Sequence, residues 1–183
     1  GVLGEEGIEG IKIGGDYPGK AFLYWQEALL NLSKNGVILT VCSKNNEIDV
    51  LEAWEKNPFI RLKKEQFAAY RINWVDKATN IKALAEELNI GLDSFVFIDD
   101  NPTERELIKQ MLPMVAVPDF PDQPYELPIF FRQIVEDYFK VYSVTDEDKK
   151  KTAQYKANAQ RAQAQSAFTD FGAFLESLNI QIT

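Results

Sequence analysis

The chain has 183 residues, a formal net charge of −8, no histidine and a single cysteine, Cys42. Its length suits one α/β domain plus an appendage. The acidic balance without Lys/Arg blocks excludes a surface built for nucleic acid or an anionic membrane, since each needs a basic face, and the missing histidine excludes Ser-His-Asp and Cys-His catalysis, His-ligated zinc and a histidine pH switch.

A lone cysteine forms no internal disulfide, and no signal-like or ~20-residue apolar span occurs, which together favour a reducing, cytoplasmic setting. In chain order, the glycines of "GVLGEEGIEGIKIGG" and the alternating Ile11, Lys12 and Ile13 predict a hairpin or flap. A helix is expected over 20–36, with Phe22, Trp25, Leu29 and Leu32 on one face and Gly36 as its stop. "VILTVCS", 37–43, is an apolar run between helices and predicts a buried parallel strand ending at Ser43.

Helices are expected at 47–56, at 65–71 and over "ATNIKALAEELNIG", 78–91, where Ile81, Leu84, Ala85 and Leu88 form a stripe before Gly91. A strand "FVFI" at 95–98 follows, then a helix from Pro102 to Leu112, a strand at 114–117 and a helix over 129–139. This alternation predicts an α/β fold, a parallel sheet with helices on both faces and its ligands at the carboxyl ends of the strands. Residues 145–167, rich in Ala, Gln and Lys, predict a solvated helix leading to another domain. The expected organisation is a core over 1–140, a helical linker over 141–168 and the start of a following domain over 169–183.

The stretch "FVFIDDNPTERE" sets two carboxylates, Asp99 and Asp100, at a strand end. Helix capping accounts for its later residues: Asn101 at the N-cap, Pro102 at the first helical position and Glu104 completing an Asn version of the capping box. It leaves the acidic pair unexplained, whereas Mg²⁺, a hard cation held by carboxylates, phosphate and water, resolves the repulsion. Ser43 lies at the other central strand end, where its hydroxyl either donates to a phosphoryl oxygen or supports a turn with Asn45 or Asn46 capping the next helix. Lys77 sits at a helix entry, against the helix dipole, and makes sense there if it faces an anion; the competing reading is an ordinary exposed lysine. Lys82 falls on the outer, solvated face.

A hydroxyl, then a lysine, then an acidic pair resemble motifs II, III and IV of the haloacid dehalogenase (HAD) superfamily. The segments "GEEGIEGIKIG", "VCSKNN", "INWVDKATNI" and "FVFIDDNPTERE" resemble FkbH-like proteins, classed among the subfamily IIIC phosphatases, over residues 1–140. The resemblance implies a Rossmann-like HAD fold with a minimal cap and Mg²⁺-dependent phosphoryl transfer through an aspartyl-phosphate. It maps Ser43, with Lys44 and Asn45, to phosphate binding and Lys77 to balancing carboxylate and phosphate charge. Asp100 maps to the metal, with Asp99 orienting waters or the lysine. Motif I, which supplies the nucleophile in that family, is absent, and in the family it lies just upstream of residues like "GVLGEEG"; the chain as given is therefore expected to be inactive without that segment.

FkbH-like proteins are associated with moving a glyceryl unit from 1,3-bisphosphoglycerate to an acyl carrier protein with release of phosphate, and the short stretches around Ser43 leave room for an open site that suits such an acceptor. On this reading the partners are a phosphorylated small molecule, an acyl carrier protein and adjoining domains of the parent chain. Cys42 is either an acyl resting place or a small buried hydrophobe. Arg61, Lys63 and Lys64 are either a docking patch for an acidic carrier or a solvated face. The principal alternative to an enzyme is a HAD-like module that binds Mg²⁺ and phosphate, or docks a carrier, without catalysis. A phosphorylated receiver domain is disfavoured because its acidic pair precedes its lysine by a different order of strands.

Overall fold

The computed structural model describes residues 13–139, 150 and 153–161. The expected hairpin lies almost wholly outside these residues, as do the ends of the 145–167 helix and all of 169–183.

Helix α1 (Gly19–Lys34) buries Ala28 and Leu32. It stops as its glycine predicts: Gly36 has φ 97°, a conformation that glycine adopts without steric cost, and Val37 N–H returns to the Leu32 carbonyl at 3.3 Å. One polar side chain is buried on this helix, and it is used. Gln26 accepts from the backbone N–H groups of Arg61 (2.8 Å) and Leu62 (3.3 Å) and donates to the Phe59 carbonyl (3.3 Å), fastening an otherwise irregular segment to α1.

Strand β1 (Thr40–Ser43) is followed by α2 (Glu47–Lys56), a 3₁₀ turn (Lys64–Gln66) and β2 (Ala69–Ile72). The two strands are parallel, with Thr40 opposite Ala69 and Ser43 opposite Ile72. The helix expected at 65–71 is therefore wrong: its first residues make the 3₁₀ turn and the rest make β2. Alanines 68 and 69 favour helix locally, but Tyr70 and Ile72 favour strand. Pairing with β1 decides the matter because it satisfies the backbone while burying Ala69 and Ile72.

Next come α3 (Lys77–Leu88), α4 (Pro102–Met111) and α5 (Leu127–Tyr138). α3 starts on Asp76, whose carboxylate accepts from Thr79 N–H and Thr79 Oγ1, both at 2.8 Å. It ends at Asn89, with φ 53°, so asparagine takes the left-handed position that sequence reasoning gave to Gly91. α3 packs against β1, β2 and α4, while α5 packs on α1. Its stripe feeds two apolar clusters: Ala78 and Ile81 meet Phe97, Ile108, Leu112 and Val115, and Leu84 and Leu88 meet Ala69 and Ala159. Residues 153–161 are helical, as expected. They are not purely solvated, because Ala159 is small enough to approach Leu84 and Leu88 closely and is buried there.

The strands expected at 95–98 and 114–117 are reduced to one parallel bridge, Val96 with Ala116. Phe97 N–H donates to the Ala116 carbonyl (2.8 Å) and Ala116 N–H to the Phe95 carbonyl (3.0 Å). A ladder needs partners to lengthen, and among the described residues the other edge of 95–98 has none. The same holds for the edge of β1 away from β2. An apolar cavity of about 520 Å³ opens there, lined by Ile38, Thr40 and Cys42 on one side and by Val96, Phe97 and Ile98 on the other. Among the described residues the sheet thus has two halves with a gap between them. No helix among the described residues is long and apolar enough to cross a membrane.

Candidate functional site

The carboxyl ends of β1, β2 and the 95–98 segment bring together residues that are far apart in sequence. Asn73, just past β2, donates its backbone N–H to the Ser43 carbonyl at 3.1 Å, which sets the two strand ends side by side. Ser43 Oγ accepts from Asn45 Nδ2 at 2.7 Å. Its own hydroxyl hydrogen remains to be donated. Asn45 is buried, so of the two alternatives for 45 and 46 it is Asn46 that takes the N-cap of α2, and Asn45 that braces the serine.

Lys77, at the first residue of α3, forms an ion pair with Asp99. Both side chains are close to buried, 11% and 8% exposed, so the ordinary exposed-lysine reading does not hold. The Lys77 ammonium also lies 5.9 Å from the centroid of the Phe97 ring, which favours a cation. Asp99 accepts in addition from Asn101 N–H at 2.9 Å. Asp100 is exposed beside it. Sequence reasoning did not name Arg105, whose Nη1 donates to the carbonyls of Asp99 (2.9 Å) and Asp100 (3.0 Å) and holds the backbone of the pair from α4.

Asn101 caps α4 as expected, accepting from Thr103 N–H at 2.9 Å. Glu104 does not complete a capping box. Its carboxylate reaches instead across the site to Lys44 Nζ at 2.6 Å, and its Oε2 is buried with no hydrogen-bond partner. The pull of a charge partner 60 positions away outweighs the local backbone bond. Lys44, expected at the phosphate, is thus held by Glu104, which raises its pKa chiefly through that hydrogen bond.

Cys42 lies between these groups, its Sγ 3.9 Å from the Lys77 carbonyl. Burial, first of all, pushes the thiol up to about 11, so it is protonated at neutral pH and behaves as the small hydrophobe. Of the basic patch, Lys63 Nζ is engaged by the carbonyls of Trp54 and of Asn57 (3.1 Å), and Lys64 sits 5.2 Å from the Tyr70 ring centroid. Lys82 is exposed, as expected.

The acidic groups here are all oxygen donors: the Asp99 and Asp100 carboxylates at the end of the 95–98 segment and, on α4, Glu104. That chemistry fits a hard divalent cation. Among the described residues no cluster of three His, Cys, Asp or Glu side chains gathers at metal-binding distance.

The N-terminal part of the protein BF1531 from Bacteroides fragilis, a crystal structure containing a phosphatase domain complexed with Mg, matches this chain with a TM-score of 0.72 and 41% identity. The chain shares an α/β fold with part of that protein. The match covers 78% of this chain and 38% of that one, so the chain spans well under two thirds of its relative's length. No family model and no curated protein matches the chain.

Proposed function

We propose that the chain works as a Mg²⁺-dependent phosphatase or phosphotransferase of the HAD type. The observation that carries this reading is the near-buried Lys77–Asp99 ion pair, with Ser43 at the carboxyl end of β1 and its neighbour Cys42 reaching the Lys77 carbonyl. A fold shared with a phosphatase domain complexed with Mg, at 41% identity, supports it.

Ser43 Oγ donates its hydrogen to a phosphoryl oxygen, its lone pair already engaged by Asn45. Lys77 balances the charge that phosphate brings beside Asp99. Asp100, with Asp99, would hold Mg²⁺, which would supply positive charge to the phosphoryl oxygens. Arg105 keeps their backbone in place. In this reading the nucleophile is an aspartate, which the described residues do not identify. Its carboxylate attacks phosphorus, the ester oxygen leaves with the bonding pair and takes a proton, and water then cleaves the aspartyl-phosphate to release phosphate.

The finer reading is FkbH-like, of subfamily IIIC: glyceryl transfer from 1,3-bisphosphoglycerate to an acyl carrier protein. Mass spectrometry of the carrier after turnover tests it, and an unmodified carrier overturns it. The reaction class is tested by phosphate release from acetyl phosphate and simple monoesters, using the full-length protein with Mg²⁺ beside Asp100→Asn. Metal-dependent release that the variant loses is the expected result; a folded full-length protein that releases nothing overturns the proposal.

A further inference from the structure

Three tryptophans occupy very different environments. Trp25 stacks on Phe130 (centroids 5.7 Å apart) and Trp54 on Phe67 (5.5 Å), both in packed surroundings. Trp74 is 64% exposed. An exposed indole loses the burial that makes the residue worth its size, so its position calls for another cause.

That position is the rim of the candidate site. Trp74 follows Asn73, whose N–H is bonded to the Ser43 carbonyl, and lies three residues before Lys77, in the loop that leads into α3. The loop carrying it is fastened from several sides. Asn80, buried in α3, donates to Asn73 Oδ1 (2.8 Å) and to the Val75 carbonyl (3.3 Å), and Val75 N–H donates to Asn73 Oδ1 (3.0 Å). The indole itself is pinned: Nε1 donates to Asn46 Oδ1 at 2.9 Å, and Asn46 Nδ2 donates to Asp49 at 3.0 Å. Asn46 adjoins Asn45, which braces Ser43. A bond at the ring's edge fixes its direction while leaving its surface to solvent. Val75, next to Trp74 in its loop, and Ile48, in the first turn of α2, are exposed apolar side chains as well.

We propose that Trp74 is a specificity-determining residue: its indole receives the organic group of a phosphate ester whose phosphoryl end lies at Ser43 and Lys77, and selects leaving groups that carry a flat, uncharged ring. A pre-oriented aromatic surface binds such a ring without first ordering a side chain, and stacking of this kind is worth about three- to tenfold in affinity. The ring rather than an aliphatic chain is favoured because the anchored indole offers one broad face instead of a groove.

This inference rests on the phosphatase reading and stands against the glyceryl-transfer reading, whose donor carries no ring; the experiment separates the inference from the phosphatase reading. In the full-length protein with Mg²⁺, kcat/KM is measured for p-nitrophenyl phosphate and for acetyl phosphate. The expected result is that Trp74→Ala lowers the ratio of the two by about fivefold, mostly through KM, and that Trp74→Phe restores most of it. A ratio within twofold of the native value overturns the assignment. If the native protein turns over neither compound, the phosphatase reading fails instead, and phenyl phosphate binding decides the rim. A shift of the Trp74 indole N–H resonance upholds it, and an unmoved resonance alongside unperturbed binding-site signals overturns it.

Discussion

Lys77 and Asp99 show what a single pair contributes. With both side chains nearly buried, removing the lysine leaves a carboxylate with only the Asn101 N–H to offset its charge, and breaking buried pairs of this kind costs about 3–5 kcal/mol. Lys77→Met is expected to lower unfolding stability by roughly 3 kcal/mol in urea titration, with Asp99→Asn in the same background recovering part of the loss. Cys42 makes the opposite point about reactivity. With its thiol pushed up to about 11 from an ordinary 9.0, iodoacetamide at pH 8 should label it on the order of a hundredfold more slowly than a free thiol, the rate climbing above pH 10. Asp76 is held below its ordinary 3.8 by the Thr79 N–H, then by the Thr79 hydroxyl. A depressed carboxyl stabilises the fold above its unfolded value and loses that effect as pH falls through the folded one. Stability should therefore drop below about pH 4 in the native chain, with a smaller acid-side slope in Asp76→Asn. At this scale the sequence pointed to Ser43, Lys77, Asp99 and Asp100 as candidates because strand ends and like-charge crowding are local signals. Arg105 and the Lys44–Glu104 pair escaped because their partners are backbone carbonyls and a side chain 60 positions away, which no local pattern encodes.

Among elements, those with strong 3.6-residue stripes and good caps were legible, α3 most of all. Its stripe is also where truncation costs most: Leu84 is 1% exposed between β2 and the 153–161 helix, and Leu84→Ala should destabilise by about 2–5 kcal/mol, read from the denaturant midpoint. An alanine on the exposed Lys82 should leave that midpoint within about 0.5 kcal/mol. The misread element was β2. Four residues carry too little periodicity to announce a strand, and "AYRI" becomes one through β1, a partner that local sequence does not reveal. The end of α3 failed more mildly, since asparagine and glycine both tolerate a left-handed φ and the nearer of the two is used.

At the level of the whole molecule, the α/β alternation was readable and the interruption of the sheet was not. A sequence pattern reports that a segment is extended and apolar, yet the length of its ladder depends on what lies beside it. That is why 95–98 and 114–117 have the composition of strands and share a single bridge. The gap along β1 has a further consequence for the chain in solution. Sheet edges with open backbone donors and acceptors, flanked by apolar side chains, are templates for strands from any neighbouring molecule. Residues 13–161 on their own should therefore self-associate as concentration rises, seen as growing particle size in light scattering. A short apolar peptide able to add a strand should reverse the trend, and a chain that stays monomeric at high concentration would mean that the gap is already closed.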